Sequence, residues 1–131
     1  MFQNIDAVTS LDLTMFGSAG LKNISGMFRS CDSLTEINLS KLDTSQVEQM
    51  AWMFDSCRSL KTLDLRNFNT ANVRSMFQMF GNDKNLTTIQ YGSGFVYKEG
   101  CDAEMMFYLC PANKPAWNGT WHPSSGGFKP A

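Results

Sequence analysis

The stretch that decides the fold is residues 53–73, which read MFDSCRSLKTLDLRNFNTANV. Residues 27–47, which read MFRSCDSLTEINLSKLDTSQV, show the same pattern 26 residues earlier. The Met-Phe pair recurs along the chain as Met1-Phe2, Met27-Phe28, Met53-Phe54, Met79-Phe80 and, after one inserted residue, Met106-Phe107. Apolar residues recur in register at several other positions, so the chain is an array of one structural unit.

The first half of each unit predicts a short β-strand. In residues 60–66, LKTLDLR, apolar and polar residues alternate, which is typical of a strand with one buried face. We expect the apolar strand positions to point inward. These are Leu11, Leu13, Ile37, Leu39, Leu63, Leu65 and Ile89.

The second half of each unit predicts a short helix. In residues 43–57 the apolar residues follow the spacing of one helical stripe. They are Val47, Met50, Met53, Phe54 and Cys57. Asp43, Thr44 or Ser45 can act as the N-cap of this helix, because their side-chain oxygens accept hydrogen bonds from the first turn.

A strand and a helix every 26 residues predict an α/β solenoid of the leucine-rich-repeat type, whose units span 20–29 residues. The L-x-x-L-x-L core is present in residues 34–39 and 60–65. We expect a parallel sheet on one face, short helices on the other, and four to five repeats over residues 1–110.

Residues 111–131 differ from the repeats and predict a C-terminal cap. All four prolines lie in this segment, together with Trp117 and Trp121. The two indole rings are suited to cover the apolar end of the array, and Asn118-Gly119 indicates a tight turn between them. Ser124-Ser125-Gly126-Gly127 looks like the start of a linker.

The repeat unit resembles the BspA-like repeats, a branch of the leucine-rich repeats. The resemblance lies in the run MFxxCxSLxxLDLSxFDTSxV, which residues 27–47 and 53–73 follow closely. It covers about residues 1–110 and implies a bacterial surface protein, extracellular and anchored to the wall or membrane. Its implied function is adhesion or protein–protein binding, and it implies no catalytic residues.

Composition excludes several classes of function. The net charge of −1 gives no electrostatic attraction to nucleic acid or to an anionic bilayer. No apolar run approaches the about 20 residues of a membrane-spanning helix. The single histidine, His122, stands among tail residues and favours a solvated loop over catalysis. We therefore expect no enzyme activity, no metal and no cofactor.

The cysteines predict buried, reduced thiols. Cys31, Cys57 and Cys110 occupy one column on the side predicted to be helical, where neighbouring helices lie about 8–10 Å apart. A disulfide needs Cα atoms within about 7 Å. Cys101 has no partner in a column, and a Cys101–Cys110 bridge stays open as an alternative.

The outward face of the predicted sheet is the candidate binding surface. Its candidate residues are Glu36, Asn38, Ser40, Thr62, Asp64, Arg66, Thr88 and Gln90. They are expected to form polar ladders and to contact a host or matrix protein or another surface macromolecule. The alternative function is a structural spacer that holds another domain away from the cell wall, because this face offers no large aromatic anchor. Trp52 is expected to be partly exposed.

The array opens in the middle of a unit, at Met1-Phe2. This predicts that further repeats preceded residue 1 in the original protein. An uncovered first unit would expose an unpaired strand edge that favours end-to-end self-association. Hydrogen exchange should then be fastest in residues 1–20 and slowest around residues 34–80.

Overall fold

The computed structural model describes residues 2–15, 17–98, 100–111, 121–124 and 127–130. Each of the first four units contributes one short strand. The strands are β1 (Ser10–Asp12), β2 (Glu36–Asn38), β3 (Thr62–Leu65) and β4 (Thr88–Tyr91). Two further strands follow in the tail, β5 (Trp121–Ser124) and β6 (Gly127–Pro130).

The repeat strands pair in parallel, with a register of one unit. Leu11 pairs with Ile37 between β1 and β2, and Leu63 pairs with Ile89 between β3 and β4. β2 and β3 are not hydrogen-bonded to each other, so the structure has two small parallel sheets where one continuous sheet was expected. The parallel pairing predicted from the repeat is confirmed within each of these sheets.

The alternating pattern predicts correctly which strand residues face the interior. Five of the expected positions are buried, and they are Leu13, Leu39, Leu63, Leu65 and Ile89. Leu11 and Ile37 are half-buried and pack against the same core. Residues between them, such as Thr62 and Asp64, are exposed.

The predicted helices are wrong, because residues 2–98 (apart from residue 16) and 100–110 contain no helix. The second half of each unit is a series of tight turns. Trp52 and Ser56 have φ angles of +54° and +64°, in the left-handed region that an α-helix excludes. The predicted stripe is buried all the same. Val47, Met50, Met53, Phe54 and Cys57 all lie in the core.

The capping residues also act differently from the prediction. The Oδ1 of Asp43 accepts the N–H of Ser45 at 2.9 Å, which is an Asx turn without a helix after it. The Thr44 hydroxyl instead reaches the next unit, where it donates to the carbonyl oxygen of Asn69 and accepts the N–H of the same residue. Ser18 and Thr70 make equivalent bridges, and all three hydroxyl residues are buried.

These turns hydrogen-bond to the next unit instead of within a helix. The N–H of Phe54 donates to the carbonyl oxygen of Met79 at 2.9 Å. Equivalent bonds of 2.7–2.9 Å run from Phe2 to Met27, from Phe28 to Met53 and from Phe80 to Met106. The donors all point toward the following unit, so these bonds join consecutive turns in sequence order.

A column of phenylalanine rings lies beneath these turns. Phe28 and Phe54 stack with ring centroids 5.5 Å apart, and Phe54 and Phe80 with centroids 5.8 Å apart. Phe2 and Phe107 extend the column at its two ends, at 5.6 Å and 5.4 Å. Stacked aromatic rings attract each other more strongly than the burial of their surface area alone accounts for. The column therefore fixes the spacing of the units.

All four cysteines are buried, and Cys31, Cys57 and Cys101 are free thiols. The Cys57 thiol donates to the carbonyl oxygen of Phe28 at 3.0 Å, and the Cys31 thiol donates to that of Phe2 at 2.9 Å. The expected reduced state of Cys31 and Cys57 is therefore present, although in turns and not on helices. Because Cys101 is a free thiol, the alternative bridge from it to Cys110 is not formed.

The tail is described only in part. β5 and β6 pair antiparallel, with Trp121 opposite Pro130 and His122 opposite Lys129. His122 and Ser124 thus belong to a strand, in place of the loop and the linker expected there. The predicted capping residue Trp117 and the predicted Asn118-Gly119 turn lie outside the described residues.

Leu63→Ala should lower the free energy of unfolding by about 2–5 kcal/mol, because Leu63 is buried in the core and the change leaves a cavity. Chemical denaturation followed by circular dichroism measures the loss. Thr62→Ala, at the adjacent exposed position, is the control and should change the stability by no more than about 0.5 kcal/mol. Equal effects of the two substitutions would contradict the inward assignment.

Cys31 and Cys57 should resist alkylation in the folded protein at pH 8. Burial raises the pKa of both thiols, and both donate to carbonyl oxygens, so little thiolate is present to react. Mass spectrometry after iodoacetamide treatment, with and without denaturant, measures the difference. A disulfide-linked peptide containing both cysteines, or rapid labelling of native protein, would contradict the structure.

Candidate functional site

The polar strand face is the surface formed by the eight predicted binding residues. Glu36 and Asn38 lie on β2, Thr62 and Asp64 on β3, and Thr88 and Gln90 on β4. Arg66 follows directly after β3, and Ser40 lies two residues after the end of β2. The side chains of all eight are exposed, because they occupy the alternate positions to the buried leucine and isoleucine residues.

A groove of about 760 Å³ lies over β1 and β2 and extends to the end of β3, across the boundary where β2 and β3 are not hydrogen-bonded. We call this boundary the seam. Five of the predicted residues line the groove, and they are Glu36, Asn38, Ser40, Asp64 and Arg66. Thr62, Thr88 and Gln90 are exposed on the same face but do not line it. The structure therefore gathers part of the predicted set into one concave site.

Asx turns hold the polar side chains at the strand ends. The Oδ1 atoms of Asp12, Asn38 and Asp64 each accept the N–H of the residue two positions later, at 2.9–3.1 Å. The expected ladders across strands are replaced here by bonds along each strand. These bonds lower the pKa of Asp12, and the adjacent Arg66 lowers that of Asp64, so both carboxylates are charged at neutral pH.

Arg66 forms a bidentate ion pair with Asp64. Its Nε lies 2.9 Å from Oδ1 and its Nη2 lies 2.8 Å from Oδ2. The pair is exposed to solvent, so it contributes little to stability, but the paired geometry fixes the direction of the guanidinium. Arg66 thus presents a positioned donor at the edge of the groove.

Asn67 closes the end of the seam. Its Nδ2 donates to the carbonyl oxygens of Leu39 and Leu42 at 2.9 Å and 3.2 Å. The second and third units are thereby joined by a side chain. Backbone bonds do the same for β1 with β2 and for β3 with β4. Sequence reasoning missed Asn67, because the equivalent positions in the other units have unrelated residues and only the contact reveals its part.

Asp12 is another residue that lines the groove but was absent from the predicted site. It lies on β1 in the same outward column as Asn38 and Asp64, opposite Asn38 in the strand register. The repeat signal that selected the other two residues also applies to Asp12. It could have been included from the sequence.

A second polar cluster lies among the turns and is centred on Asp55, which is buried. This carboxylate accepts hydrogen bonds from Arg29 Nε at 3.2 Å and from the side-chain amides of Gln78 and Asn82 at 3.0 Å and 3.2 Å. Trp52 lies beneath the Arg29 guanidinium, 5.5 Å from its ring centroid, and is half-buried as expected. The Asp55 oxygens are used within the protein, so the cluster connects units and leaves no open ligand position.

Asp83 occupies the position that Cys31 and Cys57 hold in the preceding units. It is fully buried, and its Oδ1 accepts the Cys57 N–H at 2.8 Å while its Oδ2 has no hydrogen-bond partner. Burial raises the pKa of this carboxyl well above its usual range, and the nearby negative charge of Asp55 raises it further. Asp83 is consequently held in its neutral form in the folded protein.

Comparison with known protein families gives a match over most of the chain. The profile of the family DUF285, described as Mycoplasma protein of unknown function, matches residues 1–121. The chain belongs to the DUF285 family. No curated protein and no solved structure matches it. The family match includes all four repeat strands and the groove.

Two further properties bear on the site. Across the described part of the chain, no group of three or more histidine, cysteine, aspartate or glutamate side chains is arranged to hold a metal ion. The same residues include no helix with the length and apolar character needed to cross a membrane.

Asp83→Asn should raise stability at pH 7 and flatten its dependence on pH. In the unfolded chain the carboxyl ionises near pH 3.9, whereas the folded protein keeps it protonated to higher pH. Stability contributed by the neutral form is therefore complete below about pH 4 and falls as pH rises, by up to about 1.4 kcal/mol per pH unit. Urea unfolding between pH 4 and pH 8 measures this slope.

Two comparisons make the Asp83 measurement decisive. Asp83→Cys places the residue of the equivalent positions there and should also flatten the slope. Glu104→Gln removes an exposed carboxylate and should leave the slope unchanged. An Asp83→Asn curve parallel to that of the unchanged protein would contradict the neutral state of Asp83.

Proposed function

We propose that this chain is a non-catalytic repeat module of a bacterial cell-surface protein. Its polar strand face binds a partner macromolecule, a host or matrix protein, outside the cell. The groove across the seam is the observation that supports this function most directly. It brings five residues selected from the repeat pattern into one concave, polar surface.

We further propose that the units form a leucine-rich-repeat-like solenoid of the BspA-like type. Three sets of contacts support this arrangement, because each connects consecutive units in order. They are the phenylalanine column, the backbone bonds between turns, and the isolated parallel bridges Asn23–Gln49, Gln49–Ser75 and Ser75–Asp102. The turn side differs from a helical leucine-rich repeat, as the left-handed φ angles require.

The chemistry of the groove favours binding over catalysis. Asp12 and Asp64 have lowered pKa values, so neither is poised to donate a proton near neutral pH. Arg66 is held by Asp64, and the hydroxyl of Ser40 donates to Asn38 Oδ1 at 2.7 Å. Side chains fixed in this way can recognise a polar surface without reacting with it.

A structural spacer is the second candidate function. It is favoured by the phenylalanine column and the bonds between units, which give a rigid body that needs no ligand. The exposed strand residues include many small polar side chains and no large aromatic ring in the groove. A spacer would hold another domain at a distance and retain no partner on this face.

Immobilised protein should retain at least one purified matrix protein, and Asn38→Ala/Arg66→Ala should weaken retention at least about tenfold. These two residues line the groove and present its fixed polar groups. Biolayer interferometry measures the affinities, and circular dichroism checks that each variant is folded.

The matched control is Asn72→Ala/Arg74→Ala, which removes the same residue types from exposed positions outside the groove. This variant should bind like the unchanged protein. Retention of no matrix protein and no matrix glycan would overturn the binding function and favour the spacer.

A further inference from the structure

Four asparagines of the chain stand in the tripeptide Asn-x-Ser/Thr, which is the acceptor pattern for N-linked glycosylation. They are Asn23, Asn38, Asn85 and Asn118, and Asn118 lies outside the described residues. The other three are exposed and are followed by a residue other than proline, so they meet the sequence requirement equally. The hydrogen bonds of their side chains, however, differ.

The Asn38 side chain is held by Ser40, the third residue of its own tripeptide. Its Oδ1 accepts the Ser40 N–H at 3.1 Å and the Ser40 hydroxyl at 2.7 Å. Its Nδ2 donates to no acceptor within the described residues. Both residues line the groove. Asn38 thus combines a fixed amide oxygen with an available amide nitrogen.

The fold makes no use of this nitrogen. Asp12 and Asp64 occupy the same column in the units on either side, and their carboxylate oxygens form the same turn at 2.9 Å and 3.1 Å. An aspartate at position 38 would therefore serve the turn equally well. The amide is a departure from the neighbouring units, and the architecture does not require it.

The other two described tripeptides lack this arrangement. The Nδ2 of Asn85 is engaged, because it donates to the carbonyl oxygen of Arg58 at 2.7 Å. The Thr87 hydroxyl of that tripeptide bonds to a backbone carbonyl of the preceding unit. In the Asn23 tripeptide, Oδ1 accepts the Ser25 N–H at 2.9 Å, and no described bond joins it to the hydroxyl. Among the described tripeptides, Asn38 therefore has the most favourable geometry.

We propose that Asn38 is a glycosylation site that accepts a hexose from a nucleoside-diphosphate sugar, transferred by a glycosyltransferase of the cell. The Asn38 Nδ2 attacks C1 of the sugar, and the new N–C bond forms as the bond from C1 to the phosphate oxygen breaks. The nucleoside diphosphate leaves with the electron pair of that bond. The amide proton passes to a basic group of the transferase.

The two hydrogen bonds to Oδ1 assist this step. An amide nitrogen is a weak nucleophile, because its lone pair is delocalised onto the carbonyl oxygen. When Nδ2 loses a proton, much of the negative charge lies on Oδ1, and hydrogen bonds donated to that oxygen stabilise it. The Ser40 N–H and hydroxyl are already in place before the sugar arrives, so this stabilisation needs no rearrangement.

The attached sugar would stand in the groove and obstruct a protein partner. The modified chain should therefore retain less of that partner than the unmodified chain. This consequence rests on the proposed binding function, whereas the modification itself does not. Retention of matrix proteins is measured on the unmodified chain, so either proposal can fail without the other.

The test treats the folded full chain with UDP-glucose and a purified N-glycosyltransferase, chosen for its activity on a synthetic peptide of residues 33–43. Digestion and mass spectrometry then locate the hexose. Asn38 should be modified at least about tenfold faster than Asn85, whose nitrogen must first break its hydrogen bond. Synthetic peptides of residues 33–43 and 80–90 should react at similar rates, because the folded geometry is absent from both.

Two variants in the same column provide a gain-of-site test. Asp12→Asn creates an Asn-x-Thr tripeptide in the equivalent turn of the first unit and should add a second hexose at position 12. Asp64→Asn makes the same change where Arg66 takes the place of the hydroxyl residue, and it should add none. Ser40→Thr keeps the hydroxyl and should preserve the modification of Asn38.

The protein isolated from its own cells should carry a hexose on the peptide that contains Asn38. An unmodified Asn38 in that protein would overturn the proposal. Modification of Asn85 in the folded chain as fast as Asn38, or reaction of the 33–43 peptide without reaction of folded Asn38, would overturn it as well.

Discussion

The stacking of the phenylalanine rings sets the geometry on which the rest of the repeat region depends. Centroid separations of 5.4–5.8 Å along the column bring the backbones of consecutive units within hydrogen-bonding distance. At this spacing the N–H groups of one unit's turns reach carbonyl oxygens of the next. A helix could not use its N–H groups in this way, because it satisfies most of them internally. The close stacking and the absence of helices in the described repeats are therefore two aspects of one constraint.

The sequence predicted the periodic part of the structure well, because burial repeats with the unit. The inward strand positions, the parallel register within each pair of strands and the buried cysteine column all follow from the 26-residue spacing. The helix prediction failed for an identifiable reason. Successive tight turns bury residues at nearly the same intervals as a helical stripe, so Val47, Met50, Met53 and Phe54 are buried in either conformation. The signal that distinguishes them is local and is present in one column: Asn4, Ser30, Ser56 and Asn82 stand at left-handed positions, where small polar residues are favoured. The other left-handed column includes Trp52 and Gln78 and gives no such signal.

The groove, by contrast, could be predicted from the sequence only in part. The outward column Asp12, Asn38 and Asp64 is visible from the repeat, but the break between β2 and β3 is not. Asn67 bonds to Leu39 and Leu42 at a position where the other units have no comparable side chain. Long-range contacts made by a single residue leave no periodic trace in the sequence, so they could be found only in the structure.

A repeat protein specialises where one unit departs from the others. Asp83 replaces a thiol that donates to a carbonyl oxygen in two other units, and it leaves one buried oxygen without a partner. Such a replacement is costly to the fold. Asn67 and the Arg66–Asp64 pair are departures of another kind, because they lie on the surface and change its shape and charge at little cost to the core. The periodic residues thus account for the architecture, whereas the aperiodic surface residues around the seam give this face its individual shape and charge.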